Sequence, residues 1–313
     1  MYGRRITWRA AGALLAGCAA TALAVTSVSA SSGDAGQEAR WPARTPQTGI
    51  AAGMSLPLER YLIAYADDVA FSKATYKLDK ACMTGFGLAL PDTRPGSAPP
   101  PAATSANMPR RYGITDAALA RAHGYHLAED DTATADGTDD ETPLTERQLQ
   151  VLHGGSRSSG TAAPASIGGK PVPAGGCASE SVRRLGGGLD EDLASELTGE
   201  SFDTSRADAR VRTVLAAWSA CMGGKGYQVT DPLVAARVTS ATATPEEIRR
   251  AVDDVTCKQP TGLVKTWFAV ETEIQNKLLA QHRDALEATK AKNAVVLRTI
   301  TGKDAAATGG EAR

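Results

Sequence analysis

Apolar residues recur every three or four positions along several stretches of the chain. One stretch runs from Leu58 to Cys82, and another runs from Leu263 to about Arg298. This spacing places apolar side chains on one face of a helix. Few segments alternate with a period of two, so the pattern predicts a mainly α fold with little or no sheet. Shorter helices are predicted at 117–123, 143–152, 177–185, 189–197, 206–222 and 245–258.

The helix at 245–258 has the clearest limits, because Thr244 provides an N-cap, Pro245 stands at the first helical position and Pro260 follows its end. Loops separate the helices. Residues 31–56 are expected to form a disordered tether, with order beginning near Pro57. A proline-rich loop is expected at 91–109, a disordered acidic insertion at 129–142 and a disordered tail at 301–313. Between them we predict two helical lobes, 57–200 and 201–300, the second ending in the long helix.

The first thirty residues have the layout of an export signal peptide. A basic start is followed by an apolar run from Ala10 to Val25 and by the small residues Val28-Ser29-Ala30. The run has 16 residues, fewer than the roughly 20 that span a bilayer. Cleavage after Ala30 would release the protein. Alternatively, the sequence ending at Cys18 resembles a lipobox, in which Cys18 carries lipid and is the only attachment to the membrane. Both routes predict an extracellular or cell-envelope protein.

The other four cysteines are Cys82, Cys177, Cys221 and Cys257. An even number in an exported chain indicates disulfides, because the compartment is oxidising. A repeated motif favours one of the three possible pairings. Residues 81–87 and 220–226 are identical at five of seven positions, and each copy is followed by one further cysteine. The simplest interpretation is a duplicated unit with the pairs Cys82–Cys177 and Cys221–Cys257.

Composition narrows the possible functions. The chain has 34 Lys and Arg against 35 Asp and Glu, a balance that argues against nucleic-acid binding. No catalytic residue, cofactor or metal site is predicted. The sequence lacks a Gly-x-Ser-x-Gly elbow and a Ser-x-x-Lys motif, and no cysteine has a credible histidine base. His123 and His126 precede the acidic residues 129–131, but Gly124 weakens a helix between them, so surface positions are the better interpretation.

Three further features bear on binding. The doublets Arg110-Arg111, Arg183-Arg184 and Arg249-Arg250 are interpreted as solvated helix faces, with a grip on an anionic envelope polymer as the alternative. The aromatic residues Trp218, Tyr227, Trp267 and Phe268 are interpreted as core, with a sugar-stacking surface as the alternative. After Ile274 the long helix becomes polar, so its far end is expected to project from the body and to be available to a partner.

The motifs together resemble those of a group of exported actinobacterial proteins that have no established activity. The resemblance covers roughly residues 57–298 and rests on the following segments: Cys221–Tyr227, Arg111–Ile114, Gly124–His126, Val172–Glu180 and the long C-terminal helix. It implies a cell-envelope or extracellular protein and brings no specific activity. We therefore expect a non-enzymatic protein that binds an envelope protein or ligand, with a secreted hydrolase acting on envelope polymer as the alternative.

Overall fold

The fold of the chain is mainly helical in the part that the computed structural model describes, which comprises residues 45–91, 108–127, 143–155 and 164–302 apart from 237, 239 and 241. Predictions for the export signal, Cys18, the proline-rich loop, the acidic insertion and the tail lie wholly or largely outside the described residues. None of the helices in the described segments combines the length and apolar character needed to cross a membrane.

Helices account for nearly all of the regular structure. After a 3₁₀ helix at Pro57–Tyr61, they are α1 (Tyr65–Gly85), α2 (Ala117–His123), α3 (Glu146–His153), α4 (Gly176–Arg184), α5 (Asp192–Ala207), α6 (Ala209–Gly224), α7 (Pro232–Ala235), α8 (Pro245–Thr261) and α9 (Leu263–Thr301). Two short strands, β1 (Ser166–Ile167) and β2 (Lys170–Pro171), pair in antiparallel fashion. The predicted fold class is thus confirmed.

Several predicted helix limits are wrong. The helix predicted at 189–197 begins at Asp192 and continues to Ala207. The segment 58–82 is not a single helix, because the backbone is extended at Leu62 and Ala64, and the N–H of Ile63 between them donates to the carboxylate of Glu191. The helix at 245–258 continues through Pro260. Proline removes only one backbone hydrogen bond in this last turn, where carbonyl groups are open to other donors.

Both predicted disulfides are present. Cys82 pairs with Cys177, with a Cα–Cα distance of 5.8 Å, and Cys221 pairs with Cys257 at 5.7 Å. The first disulfide joins α1 to α4, and the second joins α6 to α8. Each therefore holds the end of a helix that carries the repeated Cys-Met motif against a second helix.

The two copies of the repeated motif end their helices in the same way. The N–H of Leu88 donates to the carbonyl of Met83 in the first copy, and the N–H of Tyr227 donates to the carbonyl of Met222 in the second, both at 3.0 Å. The glycine before each donor has a positive φ, of 71° and 93° respectively. This is the Schellman arrangement, which favours glycine at that position. The motif is therefore a helix end with a disulfide attached.

The two groups of helices do not follow the predicted division at residue 200. The group around the first disulfide contains α1, α3 and α4, whereas α2, α6 and α8 surround the second. Met108 and Tyr112, which precede residue 200, belong to the core of the second group, and α9 packs against both groups. Residues 45–56 also pack into this body, since Ala51 and Leu56 are buried, so the predicted tether is too long.

The far end of α9 does not project from the body, contrary to expectation. Leu286, Asn293 and Val296 are buried there. The side-chain amide of Asn293 donates to the carbonyl of Asp190 at 2.6 Å and accepts from the N–H of the same residue at 3.0 Å. The hydroxyl of Tyr61 donates to Glu287 at 2.6 Å. This helix end is therefore part of the folded body.

Candidate binding site

A buried ion pair joins the segment before α2 to α9. The Nε atom of Arg111 lies 2.9 Å from both carboxylate oxygens of Glu271, and a terminal guanidinium nitrogen contacts the same carboxylate. The hydroxyl of Tyr112 donates to Glu271 at 2.7 Å. The Arg111 and Glu271 side chains are only 3% and 0% exposed. Burial, with the nearby carboxylate, raises the pKa of Tyr112, which therefore stays a protonated donor.

Aromatic rings enclose this ion pair. The ring of Trp267 lies 5.1 Å from that of Tyr112 and 5.3 Å from that of Phe202. The indole N–H of Trp267 donates to Ser205 at 2.8 Å. Trp218 and Trp267 are both fully buried. They are thus core residues, as the simpler interpretation predicts, and neither presents a ring to a sugar.

A second buried ion pair lies on one face of α8. The Nζ atom of Lys258 is 3.1 Å from the carboxylate of Asp254 and donates to the carbonyl of Ile114 at 2.8 Å. The indole N–H of Trp218 donates to Asp254 at 2.9 Å. Burial raises the pKa of Asp254 and lowers that of Lys258, whereas their mutual attraction opposes both shifts. Both side chains are therefore engaged with the protein itself.

Two glycines allow the segment 108–126 to approach α8 closely. Gly113 has a φ of 75°, and a Cβ atom there would lie 2.8 Å from the Nζ of Lys258. Gly124 has a φ of 60°, and its Cβ would lie 2.6 Å from Glu247. Arg110 donates to the carbonyls that follow Gly124, at 3.2 and 2.9 Å. The Arg110-Arg111 doublet is thus structural, and not the solvated helix face that we expect from the sequence.

The two histidines that the sequence singles out, His123 and His126, have different surroundings. The Nε2 atom of His126 is 3.3 Å from Glu247, whereas His123 ends α2. The acidic residues 129–131 lie outside the described residues. Within the described segments, no group of three or more His, Cys, Asp or Glu side chains is arranged to hold a metal ion.

A serine, an aspartate and a histidine come together beside the first disulfide. The hydroxyl of Ser181 donates to Asp79 at 2.5 Å. Burial raises the pKa of Asp79, although Ser181 and the neighbouring His153 counteract this rise. Ser181 is only 1% exposed, and its proton points to the carboxylate. A nucleophile needs its hydroxyl directed at a base and open to substrate, so this cluster braces α1 against α4.

An open cavity of about 230 Å³ lies where α8 meets α9, and we call it the α8–α9 cleft. Its six lining residues include two lysines and none of them is acidic: Gly49, Ile50, Lys258, Gln259, Gly262 and Lys265. One wall is the strap formed by residues 47–52. The N–H of Ile50 fixes this strap by donating to the carbonyl of Thr115 at 2.9 Å. A Cβ atom at Gly49 would lie 2.7 Å from that same carbonyl, so glycine is needed there.

The cleft has one charge that the described residues leave unbalanced. Lys258 forms part of its wall but is paired with Asp254. Lys265 is exposed, and no described carboxylate lies within salt-bridge distance of it. The volume is below the roughly 300–1,000 Å³ of pockets for drug-sized ligands. The cleft therefore suits a small, negatively charged group.

The sequence pattern does not predict this cleft. The strap falls within the predicted tether, although Ile50-Ala51-Ala52 between Gly49 and Gly53 is a short apolar run bounded by turn residues. The sequence does indicate a buried role for Lys258, because it lies four residues after Asp254 on the same helical face as Ala251 and Val255. No sequence pattern indicates a binding role for Lys265, because a lysine at an exposed helix position is ordinary.

Comparison of the chain with protein-family models, with characterised proteins and with solved structures found no match. The functional proposal therefore depends on the sequence and geometry of this chain.

Proposed function

We propose that the chain is an exported, non-enzymatic binding protein of the cell envelope. One observation chiefly supports this: the ionisable groups that converge in the fold are committed to each other. Arg111 with Glu271 and Asp254 with Lys258 form buried pairs, so none of these groups is free to exchange a proton with a substrate. The open α8–α9 cleft offers hydrogen-bond donors, as a binding site does, and no carboxylate or histidine that would act as a base.

Export is supported by the signal layout of residues 1–30 and by the two disulfides. The bridges close loops of 95 and 36 residues. On the chain-entropy model such loops stabilise a fold by about 4–5 kcal/mol each. Structural disulfides of this kind persist in oxidising compartments. Release after Ala30 and lipid attachment at Cys18 both place the chain there.

The hydrolase alternative needs two converging carboxylates, or a nucleophile and its base, in an open cavity. Among the described residues, the cleft contains neither, and the hydroxyl-bearing Ser181 of the Ser181–Asp79 contact is buried. No observation therefore favours this alternative.

Co-sedimentation with isolated envelope material from the producing cells tests the proposal. The mature, oxidised protein should bind saturably, and an excess of unlabelled protein should displace it. The envelope material should release no soluble fragments beyond those released with heat-inactivated protein. Reduced and alkylated protein is the control, because it lacks both disulfides and should lose saturable binding.

Two results would contradict the proposal. Absence of saturable binding by the oxidised protein would argue against a binding function. Release of fragments by active protein alone would identify a hydrolase.

A further inference from the structure

We propose that the α8–α9 cleft binds a small oxyanion, the phosphate or carboxylate group of a larger envelope molecule. This inference deepens the proposed function and rests on it. In this cleft a cavity, a hydrogen-bonded wall and an unbalanced positive charge coincide.

The charges around the cleft favour an anion. Lys265 projects from the first turn of α9, a turn that contains no acidic residue. At the base of the cleft, the buried Lys258 has its charge balanced by Asp254. A bound oxyanion would therefore meet the ammonium group of Lys265, and none of the six lining residues carries a carboxylate. Hydrogen bonds between an ammonium donor and an oxyanion are among the stronger polar contacts in proteins.

The lining also supplies neutral donors and room. Gln259 is an exposed residue of the lining, and its side-chain amide carries two N–H donors. Gly49 and Gly262 have no side chains to fill the space, and an added Cβ at Gly262 would touch only Thr266, at 3.8 Å. At about 30 Å³ for each water molecule, 230 Å³ holds an oxyanion and several waters.

Hydrogen bonds hold the strap against the segment that precedes α2. Asp116 accepts from the backbone N–H groups of Ala118 and Leu119 at 2.7 and 3.1 Å, and Thr48 of the strap hydrogen-bonds to the same carboxylate. The N–H of Gly53 donates to the carbonyl of Pro46 at 2.8 Å and closes the loop. A preformed wall lowers the entropy that binding would otherwise lose.

Titration with inorganic phosphate and, separately, with acetate tests the inference. Oxidised, mature protein is titrated at constant ionic strength in chloride, and backbone amide NMR shifts are followed. Saturable shifts should appear in the strap and in residues 259–266. Tighter binding of phosphate identifies a phosphate group, and tighter binding of acetate identifies a carboxylate.

Matched variants separate the cleft from general charge screening. Lys265→Gln should weaken binding by about 3–10-fold, and Gln259→Glu should abolish it by placing a negative charge in the lining. Lys277→Gln, which changes an exposed lysine elsewhere on α9, should leave binding unchanged. Far-UV circular dichroism checks that all three variants fold.

The inference is overturned if neither anion gives saturable shifts, or if Lys265→Gln and Lys277→Gln weaken binding equally. Envelope co-sedimentation of unmodified protein is scored separately. If that binding persists while the anion titrations fail, the oxyanion site is wrong and the proposed function stands.

Discussion

Replacing Glu271 by glutamine should destabilise the protein strongly, although the two side chains have nearly the same shape. The carboxylate accepts from Arg111 at 2.9 Å through both oxygens, from Tyr112 at 2.7 Å and from Ser201 at 3.1 Å. The amide of Glu271→Gln has one acceptor oxygen and turns a donor toward these donors. Arg111 would then carry an unpaired charge at a position where its side chain is 3% exposed.

The expected loss follows from the burial of both partners. Removing one member of a buried ion pair costs about 3–5 kcal/mol. A typical domain has a free energy of unfolding of about 5–15 kcal/mol, so this is a large share. At about 2–4 °C per kcal/mol for a domain of this size, the thermal unfolding midpoint should fall by roughly 6–20 °C.

Urea unfolding with the disulfides intact, followed by far-UV circular dichroism, measures the loss. The double variant Arg111→Met with Glu271→Leu should regain much of it, because it removes both charges from the interior. Glu273→Gln is the matched control on the same helix, because the ion pair between Glu273 and Arg210 is half-exposed. The urea midpoint of this control variant should barely change. A Glu271→Gln protein that unfolds within about 1 kcal/mol of the unmodified chain would refute the buried pair, because that is within the range for surface pairs.

Three further predictions concern other parts of the chain. Gly113→Ala should cost more stability than Gly53→Ala in urea unfolding. Both glycines have a positive φ, but only at Gly113 would an added Cβ lie close to a neighbour, 2.8 Å from the Nζ of Lys258. Equal losses would contradict this packing. Burial alone would raise the pKa of Asp116. Hydrogen bonds from Thr48 and from backbone N–H groups outweigh this effect, so the net pKa lies below its usual range. The stability that the Asp116 charge contributes is present above the ordinary pKa of about 3.8 and is lost as the pH falls through the lower folded value. The difference in urea midpoint between the unmodified and the Asp116→Asn protein should therefore shrink with acidification. A constant difference would contradict the lowered pKa. Finally, Cys18→Ala should move the protein from the membrane fraction to the medium if Cys18 carries lipid, and an unchanged distribution would point to cleavage after Ala30.

Local patterns in the sequence predict much of the fold. The period of three to four residues locates α2 and α9, and the repeated Cys-Met motif selects the correct disulfide pairing. Both depend on neighbours in sequence or on an internal comparison. The limits of α8 show where local rules stop, because Pro260 is tolerated in a last turn whose carbonyls accept from the hydroxyl of Thr261 at 2.8 and 3.2 Å.

Features that depend on distant contacts could not be predicted. Arg111 looks like half of a solvated doublet, since nothing in its spacing reveals a partner 160 residues away. Asn293 lies in a polar stretch, and its burial depends on the backbone of Asp190. The sequence of the strap resembles that of a flexible tether because its apolar run is short. The contact with Thr115 that fixes the strap exists only in the folded chain. The α8–α9 cleft is missed for the same reason, since its walls come from two separate parts of the sequence.

Hydrogen exchange of the oxidised protein, free and bound to envelope material, tests the binding account most directly. Slower exchange should appear in the strap at 47–52 and in residues 259–266, while the α1–α4 side of the molecule exchanges as in free protein. Protection confined to α1 and α4, with the cleft unchanged, would show that the ligand binds elsewhere and would contradict the account.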